Sequence, residues 1–375
     1  MKILHTGDLH LDSPFSSEDI IGSEKRREAQ RNTFKRIMAL AEEESCDLVL
    51  IAGDLFDSEY VSPDTEKLIT RLFAEARFPI VIAPGNHDPY TDGSFYKRTS
   101  FSDNVYIFSS PELQVFDLDT IGASVYGYAF TSSALSVSPL MDTAIPESSS
   151  AVKLLCAHAD LSSPISRYAP LTTGDIRRFD FDYAALGHIH NPSPELTDRA
   201  ENIRYCGFPE GRSFDERGDG HVLIIDIGEA SFSVSERKVS SSAYVVESAD
   251  VTDISDRNEL VSLVGSVTSR FDRSEKIHLR LYLTGFASEL VTDAIPSLEG
   301  ECSRDSLLLS IVDETLPAPS GTSLMDDITL RGEFYRSLLP KLRSDDPAER
   351  KIAVLALRLG LSAIDGKDLT RRSEV

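Results

Sequence analysis

The residue pattern predicts a layered α/β domain with mixed, stacked sheets, then a small α+β unit and C-terminal helices. Three observations carry this reading. Apolar runs of strand length alternate with helical periodicity over residues 2–83. Short β runs dominate from Val105 to about residue 247. A compact β–α–β–α–β pattern and two further helices close the chain.

Residues 2–8 read as a buried strand ending at Gly7-Asp8, and residues 25–44 as a helix with Phe34, Ile37, Met38 and Ala41 on one stripe. Cys46 to Ala52 is continuously apolar, as a strand of a buried parallel sheet must be. Ser62-Pro63 supplies a cap and a first-turn proline for a helix reaching about Arg77, and Pro79 to Ala83 is the next buried strand. Further β runs fall between Val105 and Phe130, at 151–157, 182–186 and 221–227, and through 232–247. Ser-Ser-Ser at 148–150 and Val-Ser-Ser-Ser at 239–242 read as turns or loops, the second ahead of a domain boundary.

The α+β unit has a helix at about 256–271, an alternating strand with Ile277, Leu279, Leu281 and Leu283, and a closing strand from Leu307 to Val312. The expected domains are therefore 1–242, a capping unit at 243–315, a Pro/Ser/Gly linker at 316–323 and a helical segment at 324–375. In that segment Ile328, Leu330, Phe334, Leu338 and Leu339 form an incomplete apolar stripe. Ile352, Leu355, Ala356 and Leu359 form a clear one. Asp346, Pro347 and Glu349 open the last helix, and Gly360 reads as its end.

Composition narrows the function. The chain has 375 residues, 41% hydrophobic and 26% charged, which suits two or three packed units. No apolar run reaches the roughly 18 residues of a membrane helix. His5 and Asp8 arrive too early for a signal peptide. Cys46, Cys156, Cys206 and Cys302 are far apart, against a disulfide framework or a zinc ribbon. The expectation is a soluble, cytoplasmic protein with no membrane association. With 61 acidic and 38 basic residues the formal net charge is −23, so bulk attraction to nucleic acid is excluded. A phosphodiester substrate would need local positive charge from metal ions, a basic partner or a small basic patch.

Chemistry concentrates in short strings that each follow an apolar strand. They are Gly7-Asp8-Leu9-His10, Gly53-Asp54-Leu55-Phe56-Asp57, Gly85-Asn86-His87-Asp88 and Gly187-His188-Ile189-His190. Cys156-Ala157-His158-Ala159-Asp160 ends another strand in the same way. Loops at strand carboxyl ends are where open α/β sheets bind ligands. The pooled donors are Asp8, His10, Asp54, Asn86, His158, His188 and His190. This mixed nitrogen and oxygen set suits manganese, iron, zinc or cobalt better than calcium or magnesium. It is too large for one ion, whereas two ions sharing a carboxylate would use it all.

These strings, in this order, resemble the calcineurin-type metallophosphoesterases, and more narrowly the SbcD-type nuclease subunits of bacterial SbcCD DNA repair complexes. The segment Tyr205-Cys-Gly-Phe-Pro-Glu-Gly-Arg-Ser-Phe-Asp215 and the strand after it are similar to the same group. The resemblance implies an α/β/β/α metallophosphoesterase domain with two divalent transition-metal ions, Mn2+ foremost and Fe, Zn or Co as alternatives. It implies one ion on Asp8, His10, Asp54 and His190, and a second on Asp54, Asn86, His158 and His188, with Asp54 bridging. His87 would face the scissile phosphate as proton donor, and Asp88 would orient His87. Some relatives carry histidine where this chain has Asp57, which reads either as a substrate contact or as a cap or support. Arg212 reads as a phosphate contact or as the partner of a nearby acid. His5 reads as a satisfied or supporting histidine, His221 and His278 as structural or exposed, and Lys97, Arg98, Arg177 and Arg178 as DNA contacts or a solvated face.

The implied function is a metal-dependent DNA nuclease, an exonuclease with endonuclease activity as an extension, working in DNA repair. An SbcC-like ATPase would dock on the C-terminal helices, and homodimerisation is left open. Two other classes stand beside it. One is a phosphodiesterase or phosphatase acting on a small molecule, and the other is a metal-stabilised scaffold without catalysis.

Overall fold

Apolar runs without polar alternation must be covered on both faces, and the first strands are. The structure, a computed structural model, describes residues 1–375 apart from 17–19, 142–143, 149, 230, 272–275, 318–321, 345, 365 and 367–375. The chain divides into two compact units, Met1–Tyr244 and Val245–Val375.

The first unit begins with β1 (Lys2–Thr6), α1 (Ile20–Glu43), β2 (Leu48–Ile51), α2 (Pro63–Glu75), β3 (Ile80–Ile82), α3 (Phe95–Arg98) and β4 (Val105–Ile107). It continues through β5 (Gln114–Leu118), β6 (Ala123–Gly127), β7 (Val152–His158), α4 (Thr173–Arg177), β8 (Tyr183–Gly187), β9 (Ile203–Tyr205) and β10 (Gly218–Ile227). β11 (Phe232–Asp250) carries the chain into the second unit. β1, β2, β3 and β4 are parallel neighbours, while β10 lies antiparallel to β1 and β11 to β10. A separate sheet has the order β5-β6-β7-β8-β9, antiparallel only between β5 and β6.

Alternate side chains of these strands build the layers. Ile3, Leu48, Leu50 and Val81 of one sheet share a core with Val125, Leu154, Cys156 and Tyr183 of the other. Leu4, Val49, Ile51, Ile80 and Ile82 point the opposite way, onto Phe34, Ile37, Met38, Ile69 and Phe73 of α1 and α2. Tyr126, Leu155, Ala184 and Leu186 pack outward against Ile176, Phe179 and Phe181. The result is the α/β/β/α arrangement expected. α1 starts at Ile20, ahead of its predicted bound, and the buried stripe does not mark this first turn because Ile20 and Ile21 are exposed.

The expected loop at 239–242 lies inside β11 instead. Asp219 pairs with Ala243 but His221 with Lys238, so this stretch bulges opposite Gly220. Buried Glu210 accepts hydrogen bonds from the N–H and hydroxyl of both Ser241 and Ser242 and from the Thr33 hydroxyl. Ser240 Oγ accepts from the Gly220 N–H. Serines that read as turn formers therefore supply the bonds that the interrupted ladder lacks. In the other serine turn, at 148–150, residue 149 lies outside the described residues.

The second unit contains α5 (Arg257–Ser269), β12 (Lys276–Thr284), β13 (Phe286–Ala287), α6 (Glu289–Cys302), β14 (Leu307–Asp313), β15 (Leu316–Pro317), α7 (Thr322–Met325), α8 (Leu330–Leu342) and α9 (Pro347–Ile364). Asp256 caps α5 by accepting from the N–H groups of Asn258 and Glu259. β12 and β14 pair in parallel, and Ile277, Leu279, Leu281 and Leu283 are buried as their alternation predicted. The predicted linker is corrected in part. Leu316–Pro317 pairs with β13, Thr322 opens α7, and 318–321 lie outside the described residues. Leu316 is buried with Leu324, Tyr335 and Leu357, an apolar anchor hidden among prolines and serines.

Gly360 does not end α9, which runs on to Ile364. A Cβ there would lie 2.1 Å from the Phe334 ring, so this glycine lets α8 and α9 approach closely. The face of α9 that packs inward carries Ala353, Leu357 and Leu361. The stripe singled out in the sequence faces away: Ile352 is 69% exposed, Leu355 55% and Leu359 45%.

Candidate metal centre

The functional strings sit where parallel strands of both sheets end. β1 delivers Asp8 and His10, β2 delivers Asp54, and β3 delivers Asn86 and His87. From the other sheet, β7 ends on His158 and β8 leads into His188 and His190. Asp8, His10 and Asp54 adopt left-handed backbone with φ of 50°, 47° and 49°, which turns each side chain sharply off its strand. The glycines serve close approach. A Cβ on Gly85 would lie 2.2 Å from Asp54 Oδ1, and one on Gly53 would lie 2.4 Å from His158 Nδ1.

Three imidazoles share one design, in which Nδ1 is anchored and Nε2 is presented. His10 Nδ1 is 3.1 Å from Asp57 Oδ1, His158 Nδ1 is 3.0 Å from the Ala52 carbonyl, and His190 Nδ1 is 2.8 Å from Glu216 Oε1. Each anchor is an acceptor, so each Nδ1 carries the proton. The Nε2 atoms then converge. His10 Nε2 is 3.3 Å from His190 Nε2 and 3.6 Å from Asp54 Oδ2. His158 Nε2 is 3.4 Å from Asp54 Oδ2 and 2.9 Å from Asn86 Oδ1. His190 Nε2 is 3.5 Å from Asp8 Oδ1. Lone pairs directed at one another this closely require a proton or a cation between them. Nitrogen and carboxylate donors backed by such anchors fit divalent metal ions.

The donors form overlapping groups: Asp8, His10 and His190; His10, Asp54 and His87; Asp8, Asp54 and His158. Overlap of this kind suits a dinuclear site. His188 stands beside these groups rather than in them. Its backbone N–H donates to both Asp8 oxygens at 3.0 Å, and its ring lies 5.1 Å from that of His158.

Electrostatics follows from burial and pairing. Burial lowers His10 despite the Asp57 carboxylate, and burial with His158 nearby brings His188 down to about 4. His190 is raised to about 10 because its bonds to Asp8 and Glu216 outweigh the burial that opposes its charge. Glu216 is held at about 2, since His190 and Arg212 overcome its own burial. Burial also opposes the Asp8 charge, but His190, His158 and His10 keep that carboxyl well below the usual range.

One expected role is revised. Asp88 does not orient His87. It is buried and accepts from the N–H groups of Gly85, Phe56 and Asp54 and from the Tyr96 hydroxyl at 2.6 Å, bracing two loops. Burial and the Asp54 charge raise it to about 7. His87 Nδ1 instead meets the Asp57 carbonyl at 3.1 Å. Arg212 and Asp57, each read either as a substrate contact or as an internal partner or support, are engaged inside the centre. Arg212 pairs with Asp57 at 3.1 Å and with Glu216 at 2.8 Å, and both acids anchor imidazoles.

Sequence reading missed Glu216 and Tyr96. Glu216 could have been found as the acid four residues after Arg212, in the loop that begins Glu-Gly-Arg-Ser. Glu216→Gln should weaken metal binding about 10–100-fold, because His190 loses the partner that fixes its ring. Metal titration measures this, and unchanged affinity would refute the anchoring role.

A family profile described as calcineurin-like phosphoesterase matches residues 1–192. The chain is also 26% identical over 310 residues to the uncharacterized metallophosphoesterase YhaO of Bacillus subtilis (strain 168), across 78% of this chain and 74% of that protein. Both comparisons reach the broad family predicted from the strings, and neither singles out the DNA-repair nuclease subunits.

Proposed function

The chain belongs to the calcineurin-like phosphoesterases, and from that premise we propose that it is a two-metal DNA nuclease acting with an SbcC-like ATPase. The observation that carries the chemistry is the convergence of His10, His158 and His190 Nε2 on the Asp8 and Asp54 carboxylates. One ion would be held by Asp8, His10, Asp54 and His190, and the other by Asp54, Asn86, His158 and His188. Mn2+ is the expected metal. Such ions activate water and neutralise phosphate charge. His87 does the protein's own proton work: with Nδ1–H given to the Asp57 carbonyl, its 44%-exposed ring is left to meet the leaving oxygen. Asp57 and Glu216 hold His10 and His190 in register while this happens.

The second unit and its exposed α9 ridge favour DNA over a small molecule, since hydrolysis of a small ester requires neither. The test is incubation with Mn2+, a labelled duplex and a small chromogenic diester, with and without an ATPase partner. Cleavage of the duplex, increased by the partner, is expected. Hydrolysis of the diester alone would give the small-molecule reading, and no turnover would give the scaffold.

Ile352, Leu355 and Leu359 form the proposed ATPase-docking ridge. Changing all three to glutamate should abolish co-purification with an SbcC-like partner and leave the melting temperature nearly unchanged. Complex formation at full affinity would refute the docking role.

A further inference from the structure

We infer that the cavity beside His190 is a subsite for a second phosphate of the substrate, with its nucleoside, so that the chain selects oligonucleotides over isolated phosphate esters. The inference deepens the nuclease reading and rests on it. The cavity measures about 440 Å3, room for one nucleotide-sized group. His190 forms part of its wall, and the Nε2 of that same residue faces His10 and Asp8 in the metal centre.

Arg204, Arg217 and His221 line the cavity as well. Each arginine gives its Nε–H to a backbone carbonyl, Arg204 to Glu201 at 3.1 Å and Arg217 to Phe214 at 3.0 Å. Among the described residues no carboxylate pairs with either guanidinium. In a chain of net charge −23 this matters, because nearby Arg212 and Arg237 are held by acids. The two acids of the lining do not cancel the pair. Asp219 is engaged by Lys238 at 3.0 Å, and Glu236 is exposed. Unpaired guanidiniums offer forked donors matched to phosphate oxygens. Pro192, Pro194 and Phe208 add the apolar wall that a sugar or base needs. A monoester or small diester places its one phosphate at the metal centre and has nothing to put here. A strand has its neighbouring phosphate. This supplies the local positive charge that so acidic a protein requires for a polyanion.

Titration calorimetry on the full, Mn2+-loaded chain should show thymidine 3′,5′-bisphosphate binding about tenfold or more tighter than thymidine 5′-monophosphate, with phosphate release monitored to exclude turnover. Arg204→Ala with Arg217→Ala should erase the preference, and Arg204→Lys with Arg217→Lys should restore most of it. Arg204→Gln with Arg217→Gln serves where the alanine pair lowers the melting temperature. On a trinucleotide the loss should appear in KM rather than kcat. Equal affinity for both nucleotides, or a preference that survives the double substitution, overturns the subsite. A preference erased by the substitutions in a protein that cuts no DNA leaves the subsite standing and removes the nuclease reading.

Discussion

Asp54→Ala removes most of the bound metal and all hydrolysis together, the largest single effect expected in this protein. The side chain is buried, and its Oδ2 lies 3.6 Å from His10 Nε2 and 3.4 Å from His158 Nε2, between the two sets of donors. An ion on either side would lose a ligand, and two cations held this closely need the shared carboxylate to offset their repulsion. Asp54 also has a structural duty, since Oδ1 accepts the His87 N–H at 2.9 Å. Asp54→Asn separates the two. The amide oxygen can keep that bond while the charge is gone, so metal should still be lost from a chain that melts normally. Elemental analysis decides the matter, and two full metal equivalents in either variant would sink the bridging assignment.

His87→Ala has the next largest effect, and of a different kind. Turnover on a DNA diester should fall by roughly two to four orders of magnitude, the usual range for losing a general acid, while metal content stays nearly intact. The geometry makes this a sharp test. His87 also lies in one candidate metal-binding group with His10 and Asp54, and its ring is 4.7 Å from that of His10. Loss of one metal equivalent would therefore make His87 a ligand, and near-normal rates would remove it from the chemistry. The substrate must have a poor leaving group, because an activated ester needs little protonation.

Much of the first unit could be read from local pattern. Cys46 to Ala52 announces a strand covered on both faces, and Val49 and Leu50 do face different cores. Four of the five donor strings were legible because each puts glycine directly before a polar group at a strand end. The serines at 239–242 were misread because a bulge is defined by the partner strand, and the acid that satisfies them is Glu210, far away in sequence. Gly360 failed for a related reason. A glycine that ends a helix and one that admits a neighbouring ring look alike until Phe334 is in place.

By itself the sequence determined the kinds of donor, their order and the layered fold, because strand periodicity and glycine-preceded polar residues are local properties of the chain. Only the tertiary structure decided which groups hold those donors. Asp57 on His10, Glu216 on His190, Ala52 on His158 and Asp88 bracing the loops are contacts between distant segments. Hydrogen bonds act over about 3 Å, so a partner is fixed by where the backbone places it, and sequence spacing carries no record of that.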